Sequence, residues 1–443
     1  MKTYFARDAL LPSGWAKDVR IQIDNSGNFS SVTARSRPGK GSLLAGPALP
    51  GMANLHSHAF QRAMAGLTEV RRAPHDDFWS WRELMYRFLE RLTPERAQAV
   101  ATQLYIEMLK HGYTAVGEFH YLHDHSAGML LRHLAAAKKS GIAITLLPSL
   151  YRWSNFGRKP LQPRQKRFDS SPEFVLRLLG QIEQQATPDV IAGVAPHSLR
   201  AVDPGALEEL VKSLPADAPI HIHAAEQTQE VEECIAALGK RPVEWLLENM
   251  DVDGRWCLVH ATHMTAEETK ALARSGATAG LCPTTEANLG DGIFPLPAYR
   301  TAGGRYGIGG DSHVSRDPAE ELRLLEYAQR LTARRRNLIV GKRTPAVGTT
   351  LWLEAAAGGT VLGRRMGAIA SGRRADLVVL DPEHPDLAGR SGNAIANALI
   401  FAGGTNLVRD VMVSGNWVVR RGRHAQEHDA ASAYKKALTE LLA

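Results

Sequence analysis

The sequence predicts an α/β fold: a (β/α)8 TIM barrel with a small β-sandwich domain formed by the N- and C-terminal segments. Eight short apolar runs recur between residues 45 and 311, and amphipathic segments with helix start and stop signals lie between them. Runs without strict alternation are typical of parallel strands buried on both faces, and parallel strands require right-handed helical crossovers. Alternating strand patterns with turn signals occur near the two ends. A doubly wound open sheet is the alternative fold, but no GxGxxG motif follows the first run.

The eight apolar runs are the predicted barrel strands. They span residues 45–58, 114–121, 142–151, 190–197, 219–226, 256–262, 277–283 and 306–311. The helix signals are clearest before the second strand, where Thr93 is a good N-cap, Pro94 occupies the first helical position and Gly112 ends the helix. Further helices are predicted over residues 171–185, 204–214, 229–249 and 265–275.

The two ends of the chain differ from its middle. Residues 19–23 alternate as a strand does and precede a turn signal, and residues 375–380 and 408–420 are short strands separated by Gly and Pro turns. We therefore predict three segments. They are residues 1–48, the N-terminal part of a β-domain; residues 49–365, the barrel; and residues 366–443, the C-terminal part of the β-domain with a terminal helix.

Composition excludes several classes of protein. Of the 443 residues, 44% are hydrophobic and 22% charged, which is ordinary globular usage. No apolar run approaches the ~18 residues needed to span a bilayer, and the N-terminus lacks a signal-peptide pattern. The three cysteines form no CxxC motif. The net charge of +7 is scattered along the chain, whereas nucleic-acid binders concentrate it on one face. We expect a cytoplasmic protein without a membrane or nucleic-acid partner.

Metal-binding residue types follow four of the predicted strands. His56 and His58 follow the first strand, His223 the fifth, His260 the sixth and Asp311 the eighth. Active sites of such barrels lie at the C-terminal ends of the strands, and side chains two apart on a strand point to the same side. A lone histidine on a strand is most often a hydrogen-bonded core residue. Four strands that present such groups at one rim indicate a metal or catalytic site instead.

The residue types also indicate the metal. Neutral imidazoles with one carboxylate suit Zn²⁺, with Fe²⁺ as the alternative, and a catalytic site keeps one position open for water. The fourth strand offers no lysine to bridge a second metal, which favours a single ion. Such an ion lowers the pKa of bound water toward ~7. Glu226, three residues after His223, can carry a proton to a leaving group, although a carboxylate that complements a helix dipole is its ordinary structural alternative.

These residues, with residues 49–58 (LPGMANLHSH) and 367–381 (GAIASGRRADLVVLD), resemble the amidohydrolase superfamily over essentially the whole chain. Within it the chain looks most like the formimidoylglutamate deiminases. The stretches that carry this similarity are residues 56–68 (HSHAFQRAMAGLT), 78–87 (FWSWRELMYR), 103–121 (QLYIEMLKHGYTAVGEFHY), 197–202 (HSLRAV), 256–263 (WCLVHATH), 285–294 (TEANLGDGIF) and 308–315 (IGGDSHVS).

The resemblance implies a reaction and a set of roles. The reaction is hydrolysis of N-formimino-L-glutamate to N-formyl-L-glutamate and ammonia in histidine degradation, with metal-bound hydroxide attacking the formimino carbon. The resemblance also implies that the substrate is a small dicarboxylate and that the protein is a homodimer with one zinc ion per subunit. The implied metal ligands are His56, His58, His223 and Asp311; the catalytic residues Glu226, His260 and Asp311; and the substrate contacts Gln61, Arg82, Tyr121, His197 and Arg200.

Three other functions stay open at this point. A related deaminase that acts on guanine or another heterocycle would favour an aromatic stacking surface and neutral amide donors over paired arginines. A non-catalytic relative would have lost metal ligands, and a nucleic-acid-binding protein would show a basic stripe. His221, His263 and His313 are predicted to orient the ligands, and the cysteines to be small core residues. The basic loop at residues 153–167 is either a lid or a surface insertion.

Overall fold

The computed structural model describes residues 1–71, 78–342 and 344–443, and these contain two nine-stranded sheets. The strands near the N-terminus are β1 (Lys2–Leu11), β2 (Gly14–Ile23), β3 (Phe29–Thr33), β4 (Ser42–Leu43) and β5 (Ala48–Pro50). The barrel strands are β6 (Met52–Ser57), β7 (Tyr113–His120), β8 (Ala143–Leu150), β9 (Val190–Ala192), β10 (Ala195–Pro196), β11 (Ile220–Ala224), β12 (Trp256–His260), β13 (Thr278–Leu281) and β14 (Arg305–Ile308). The strands near the C-terminus are β15 (Leu377–Leu380), β16 (Val408–Val413), β17 (Asn416–Arg420) and β18 (Arg423–His424).

Fourteen helices are described, and most of them connect the barrel strands. They are α1 (Phe78–Leu89), α2 (Pro94–Lys110), α3 (Gly128–Ser140), α4 (Pro172–Glu183), α5 (Pro204–Lys212), α6 (Thr228–Leu238), α7 (Pro242–Asn249), α8 (Ala266–Ser275), α9 (Pro283–Leu289), α10 (Leu296–Thr301), α11 (Pro318–Ala333), α12 (Val347–Gly358), α13 (Asn393–Phe401) and α14 (Glu427–Leu442). By contrast, α13 lies between β15 and β16, and α14 follows β18. Short 3-10 turns lie at Ala59–Met64, Pro163–Phe168, Gly359–Leu362 and Pro385–Leu387. In the described part of the chain no helix is both long and apolar enough to cross a membrane.

The second sheet is a closed barrel of eight strand positions, all parallel, which confirms the predicted fold class. The order β10-β8-β7-β6-β14-β13-β12-β11 runs around the barrel, and β9 pairs with β8 just before β10. The fourth position is therefore split between β9 and β10. A parallel bridge between Val194 and Ile220 closes the ring. The eight apolar runs of the sequence correspond to these eight positions.

Two sequence predictions are wrong in detail, and glycines account for both. The predicted helix at 229–249 is two helices, because Gly239 ends α6 in the left-handed conformation (φ 75°) and Pro242 begins α7. The predicted strand at 45–58 is also two strands. At Gly51 the chain passes from the first sheet to the barrel, and a side chain there would collide with Thr114.

The terminal segments form one continuous sheet that folds back on itself. Its order is β18-β17-β16-β15-β5-β1-β2-β3, with β4 beside β1. The ring of Tyr4 packs edge-on against Trp417 with their centroids 5.7 Å apart, and Lys2 Nζ donates to the Gly415 carbonyl at 2.7 Å. The two layers of the predicted sandwich are thus parts of a single sheet, with Ile21 and Phe29 in its core.

The C-terminal helix packs against the barrel. Lys110 and Arg96 of α2 form ion pairs with Glu427 and Glu440 of α14, each at 3.0 Å. The three cysteines are buried and unpaired, as predicted for core residues.

Gly367, in the segment between the barrel and β15, offers a test of the fold. Its φ is 80°, and an added Cβ would collide with the carbonyl oxygen of Ala356 in α12. We expect Gly367→Ala to lower the free energy of unfolding by about 3–5 kcal/mol. Gly422 has a φ of 73° and open space around it, so Gly422→Ala should cost only about 1 kcal/mol of backbone strain. Urea unfolding of both variants measures the difference, and equal losses would contradict the collision.

Candidate active site

Three imidazoles meet at the C-terminal rim of the barrel. His56 and His58 lie at the end of β6 and His223 lies on β11, and all three are buried. The Nε2 atom of His56 lies 3.1 Å from that of His58 and 3.2 Å from that of His223. Two nitrogen ligands of one tetrahedral zinc ion, each at ~2.0–2.1 Å, lie about 3.3 Å apart. The spacing therefore fits three histidines on one metal ion.

Backbone carbonyls set the orientation of two of these rings. Nδ1 of His58 lies 2.8 Å from the Phe119 carbonyl oxygen, and Nδ1 of His223 lies 2.9 Å from that of His197. A hydrogen bond donated by Nδ1 leaves the lone pair of Nε2 for a metal. Burial lowers the pKa of His56, His58 and His223, and neighbouring histidines lower it further. The rings are thus neutral, the form that binds a metal.

Asp311 adds a carboxylate to the cluster. It follows β14, and its backbone N–H donates to the His56 carbonyl at 2.9 Å, while His58 N–H donates to the Asp311 carbonyl at 3.0 Å. Its Oδ1 atom lies 3.6 Å from Nε2 of both His56 and His58. The close approach of the two segments needs Gly309, because a Cβ there would lie 2.8 Å from the His56 nitrogen.

Glu226 and His260 lie side by side next to this cluster. Nε2 of His260 lies 3.6 Å from Oε1 of Glu226 and 3.8 Å from Oδ2 of Asp311. Burial raises the pKa of Glu226 to about 7. Burial alone would lower the pKa of His260, but Glu226, Glu286 and Asp311 together raise it to about 10. A carboxyl group that titrates near neutrality beside a protonated imidazole can perform acid–base chemistry.

An open cavity of about 560 Å³ extends from the metal-ligand cluster. All five predicted substrate contacts line it: Gln61, Arg82, Tyr121, His197 and Arg200. Nη2 of Arg82 lies 3.1 Å from the hydroxyl of Tyr151, which also hydrogen-bonds to Arg200. Burial alone would raise the pKa of Tyr151, but Arg200 and Arg82 lower it. The cavity is thus lined both by members of the metal-ligand cluster and by two guanidinium groups that share a hydrogen-bond partner.

Sequence comparison assigns the chain to a family. The sequence profile of the amidohydrolase family matches residues 48–418, which include the cluster, Glu226, His260 and both arginines. The chain belongs to the amidohydrolase family. Residues 1–42 of this amidohydrolase match the profile described as formimidoylglutamate deiminase HutF, N-terminal domain. The amidohydrolase family is metal-dependent, in agreement with the cluster.

Individual relatives match most or all of the chain. A formimidoylglutamate deiminase of Pseudomonas aeruginosa is 51% identical over 453 residues and covers 100% of both chains. A 5-methylthioadenosine/S-adenosylhomocysteine deaminase of Natronomonas pharaonis is 27% identical and covers 88% of this chain and 85% of its own. The crystal structure of an amidohydrolase from Brucella melitensis is 47% identical, covers 100% of both chains and superposes with a TM-score of 0.93.

The structure brings together every site residue predicted from the sequence. Ligand atoms of His56, His58 and His223 form one close group, and Asp311 forms a second with His56 and His260. Glu226 lies beside His260, and the five substrate contacts line the cavity at this site. The individual roles of these residues stay predictions. In the stretch at residues 78–87, the side chains of residues 78 and 79 lie outside the described part of this amidohydrolase.

The sequence reasoning missed the aromatic wall of the cavity. Trp81, Tyr86, Tyr151 and Phe168 line it together with Met85. Tyr151 directly follows β8, so the rule that singled out the histidines, a polar residue at the end of a barrel strand, could have found it. The others lie on α1 and on a 3-10 turn, where no strand-end signal exists.

Two further carboxyl groups beside His260 were also missed. Glu286 Oε1 lies 3.2 Å from Nδ1 of His260 and accepts the Cys282 N–H at 2.8 Å, which fixes the imidazole ring. Asp291 is buried, and its ligand atom lies within 4.8 Å of those of Glu226 and His260. Burial, with the charge of Glu226, raises the pKa of Asp291 to about 9.

The histidines predicted to orient the site lie next to it. Nε2 of His313 is 2.8 Å from the Ser57 hydroxyl, Nε2 of His263 is 2.7 Å from the Asp291 carbonyl oxygen, and His221 is buried on β11.

Ion pairs anchor the basic loop at 153–167. Arg158 lies 2.9 Å from Asp203, and Arg164 lies 2.9 Å from Glu83.

Proposed function

We propose that this amidohydrolase is a formimidoylglutamate deiminase, which hydrolyses N-formimino-L-glutamate to N-formyl-L-glutamate and ammonia in histidine degradation. The observation that carries the proposal is the cavity, because it joins the metal-ligand cluster to Arg82 and Arg200. The 51% identity to a formimidoylglutamate deiminase over the full length supports it.

The substrate carries its formimino group on the α-nitrogen, its α-carboxylate on the adjacent carbon and its second carboxylate at the far end of the side chain. Guanidinium groups bind carboxylates with two parallel hydrogen bonds, so Arg82 and Arg200 would hold the glutamate moiety. Their shared hydrogen-bond partner Tyr151 holds both at the same wall of the cavity. The formimino carbon would then lie beside Glu226 and Asp311, which line the same cavity.

The chain's own residues would move the protons of the reaction. A divalent ion held by His56, His58, His223 and Asp311 would supply a Lewis acid that activates water. Asp311 Oδ2 would take a proton from the attacking water, and Glu226 Oε1 would deliver a proton to the departing nitrogen. His260 would hydrogen-bond to the tetrahedral carbon's oxygen through Nε2. The proton of the tetrahedral hydroxyl group would then pass through Glu226 to the same nitrogen, which leaves as ammonia, and the proton held by Asp311 would return to Glu226. Both protons of the water molecule thus end on ammonia, its oxygen becomes the formyl oxygen, and both carboxyl groups regain their starting states.

We propose one zinc ion per subunit, since three imidazoles and a carboxylate suit Zn²⁺, with Fe²⁺ as the alternative. A cytoplasmic homodimer that acts on a small dicarboxylate, with neither nucleic acid nor a membrane as partner, completes the proposal. Sedimentation equilibrium and metal analysis of the purified protein test the dimer and the zinc stoichiometry.

The rival function is deamination of guanine or another heterocycle, which the aromatic wall of the cavity could accommodate. Two guanidinium groups in one cavity suit a substrate with two carboxylates better than a neutral ring, and this favours the dicarboxylate. Ammonia release measured side by side on N-formimino-L-glutamate, N-formimino-L-aspartate and guanine separates the two functions.

Arg82 and Arg200 offer a second test. A lysine keeps the charge but loses the planar pair of donors, so Arg200→Lys and Arg82→Lys should each raise KM for N-formimino-L-glutamate about tenfold. Arg164→Lys changes an exposed arginine of the 153–167 loop and should leave KM within about twofold. The analogue N-formimino-4-aminobutanoate lacks the α-carboxylate, so one of the two site variants should lose its effect on that compound. Equal effects of both variants on this analogue and on neutral substrates would favour the rival.

A further inference from the structure

A buried hydrogen-bonded chain lies behind the metal-ligand cluster, on the outer side of the barrel wall. Its centre is Glu118 on β7, which is buried and has no part in the mechanism above. The Ser57 hydroxyl lies 2.5 Å from Glu118 Oε2, and the Ala59 N–H donates to Oε1 at 2.9 Å. The Tyr105 hydroxyl of α2 binds Oε2 at 3.0 Å.

Two of the residues that hydrogen-bond to Glu118 are direct neighbours of the proposed metal-ligand histidines in the sequence. Ser57 lies between His56 and His58, and Ala59 follows His58 directly. Because successive side chains on a strand point to opposite faces, the two histidines face the barrel interior while Ser57 faces Glu118. The Glu118 carboxyl group therefore binds the residue before His58 and the residue after it.

The same chain reaches the segment that carries the carboxylate ligand. The Ser57 hydroxyl also lies 2.8 Å from Nε2 of His313, two residues after Asp311. Glu118, Ser57 and His313 thus connect the ends of β7, β6 and β14, and two of these ends carry metal ligands. All three side chains are buried, so water does not compete for their hydrogen bonds.

We propose that Glu118 is a positioning residue, which fixes the spacing of His56, His58 and Asp311 for metal binding through Ser57 and Ala59. The inference rests on the metal site of the proposed function. Groups that orient metal ligands in this way typically change metal affinity 10–100-fold when they are removed. Glu118 acts through the ligands and does not contact the cavity.

The test is the dissociation constant for zinc, measured on the full-length apoprotein by competition with a chelating dye. We expect Glu118→Met to weaken zinc binding about 10–100-fold. The matched control is Glu326→Met. Glu326 on α11 is also buried and also accepts three hydrogen bonds, from Arg330 and from the Leu338 and Ile339 N–H groups, but none comes from a ligand-bearing segment.

The control separates positioning from a general loss of stability. Both variants should lower the Tm of the apoprotein, but Glu326→Met should leave the zinc dissociation constant within about threefold. Should Glu118→Met fail to fold, Ser57→Ala removes the middle of the chain and is expected to weaken zinc binding about tenfold.

The outcomes are distinct. Unchanged zinc affinity in Glu118→Met or in Ser57→Ala, or an equal loss in Glu326→Met, would overturn this inference alone. Wild-type protein that binds no zinc would instead contradict the proposed function, and the inference with it.

Discussion

Replacement of Asp311 by asparagine is expected to lower kcat for ammonia release by about 10⁴-fold. The change removes the anionic ligand, whose Oδ1 lies 3.6 Å from two histidine Nε2 atoms, and also the base that takes the water proton. A general base alone contributes about 10²–10⁴-fold, and a metal that is held less well weakens the activation of water as well. Steady-state kinetics of the zinc-reconstituted variant measure the loss.

The control for this variant is Asp251→Asn. Asp251 is exposed and precedes β12, so it lies at the opposite rim of the barrel from the site. Its kcat should stay within about twofold of wild type. If Asp311→Asn retained even about a tenth of wild-type kcat, the assigned role of Asp311 would be wrong.

Replacement of Glu226 by glutamine is expected to lower kcat by about 10²–10⁴-fold, because an amide cannot carry a proton to the departing nitrogen. The zinc content should remain that of wild type, since Glu226 is not one of the four proposed ligands. This combination of intact metal content and lost turnover distinguishes Glu226 from Asp311.

Glu232→Gln, an exposed position on α6 six residues later, is the matched control. It should leave kcat within about twofold. A Glu226→Gln variant that lost its zinc, and whose turnover returned to the wild-type level when zinc was added in excess, would show that Glu226 is a ligand and not a proton carrier.

The barrel could be predicted from the sequence because its signal is local. Each parallel strand is buried on both faces, so each one is a short apolar run, and the runs at 142–151 and 256–262 needed no information from the rest of the chain. The metal-ligand cluster followed from the same reasoning. Once His56, His223 and Asp311 are placed at strand ends, the closure of the barrel brings them to one rim.

Other parts depend on contacts between segments that are distant in sequence. The passage of the chain between sheets at Gly51 depends on the approach of Thr114, and no pattern around residue 51 reveals it. In the sequence, Glu118 is a single polar residue within an apolar strand. Its hydrogen bond with Ser57 depends on the pairing of two strands and becomes visible only in the structure. Asp291 lies in a loop, where its approach to Glu226 depends on how that loop folds over the rim.

The most direct test of the central claim is ammonia release from N-formimino-L-glutamate by the purified protein before and after metal removal. The proposal predicts turnover by the zinc-loaded protein, its loss on treatment with a chelator and its return on addition of zinc. It also predicts a kcat/KM at least about 10³-fold higher than that for guanine, because a site built for charged groups rejects substrates that leave its polar groups unpaired. A zinc-loaded preparation that is inert toward N-formimino-L-glutamate would contradict it.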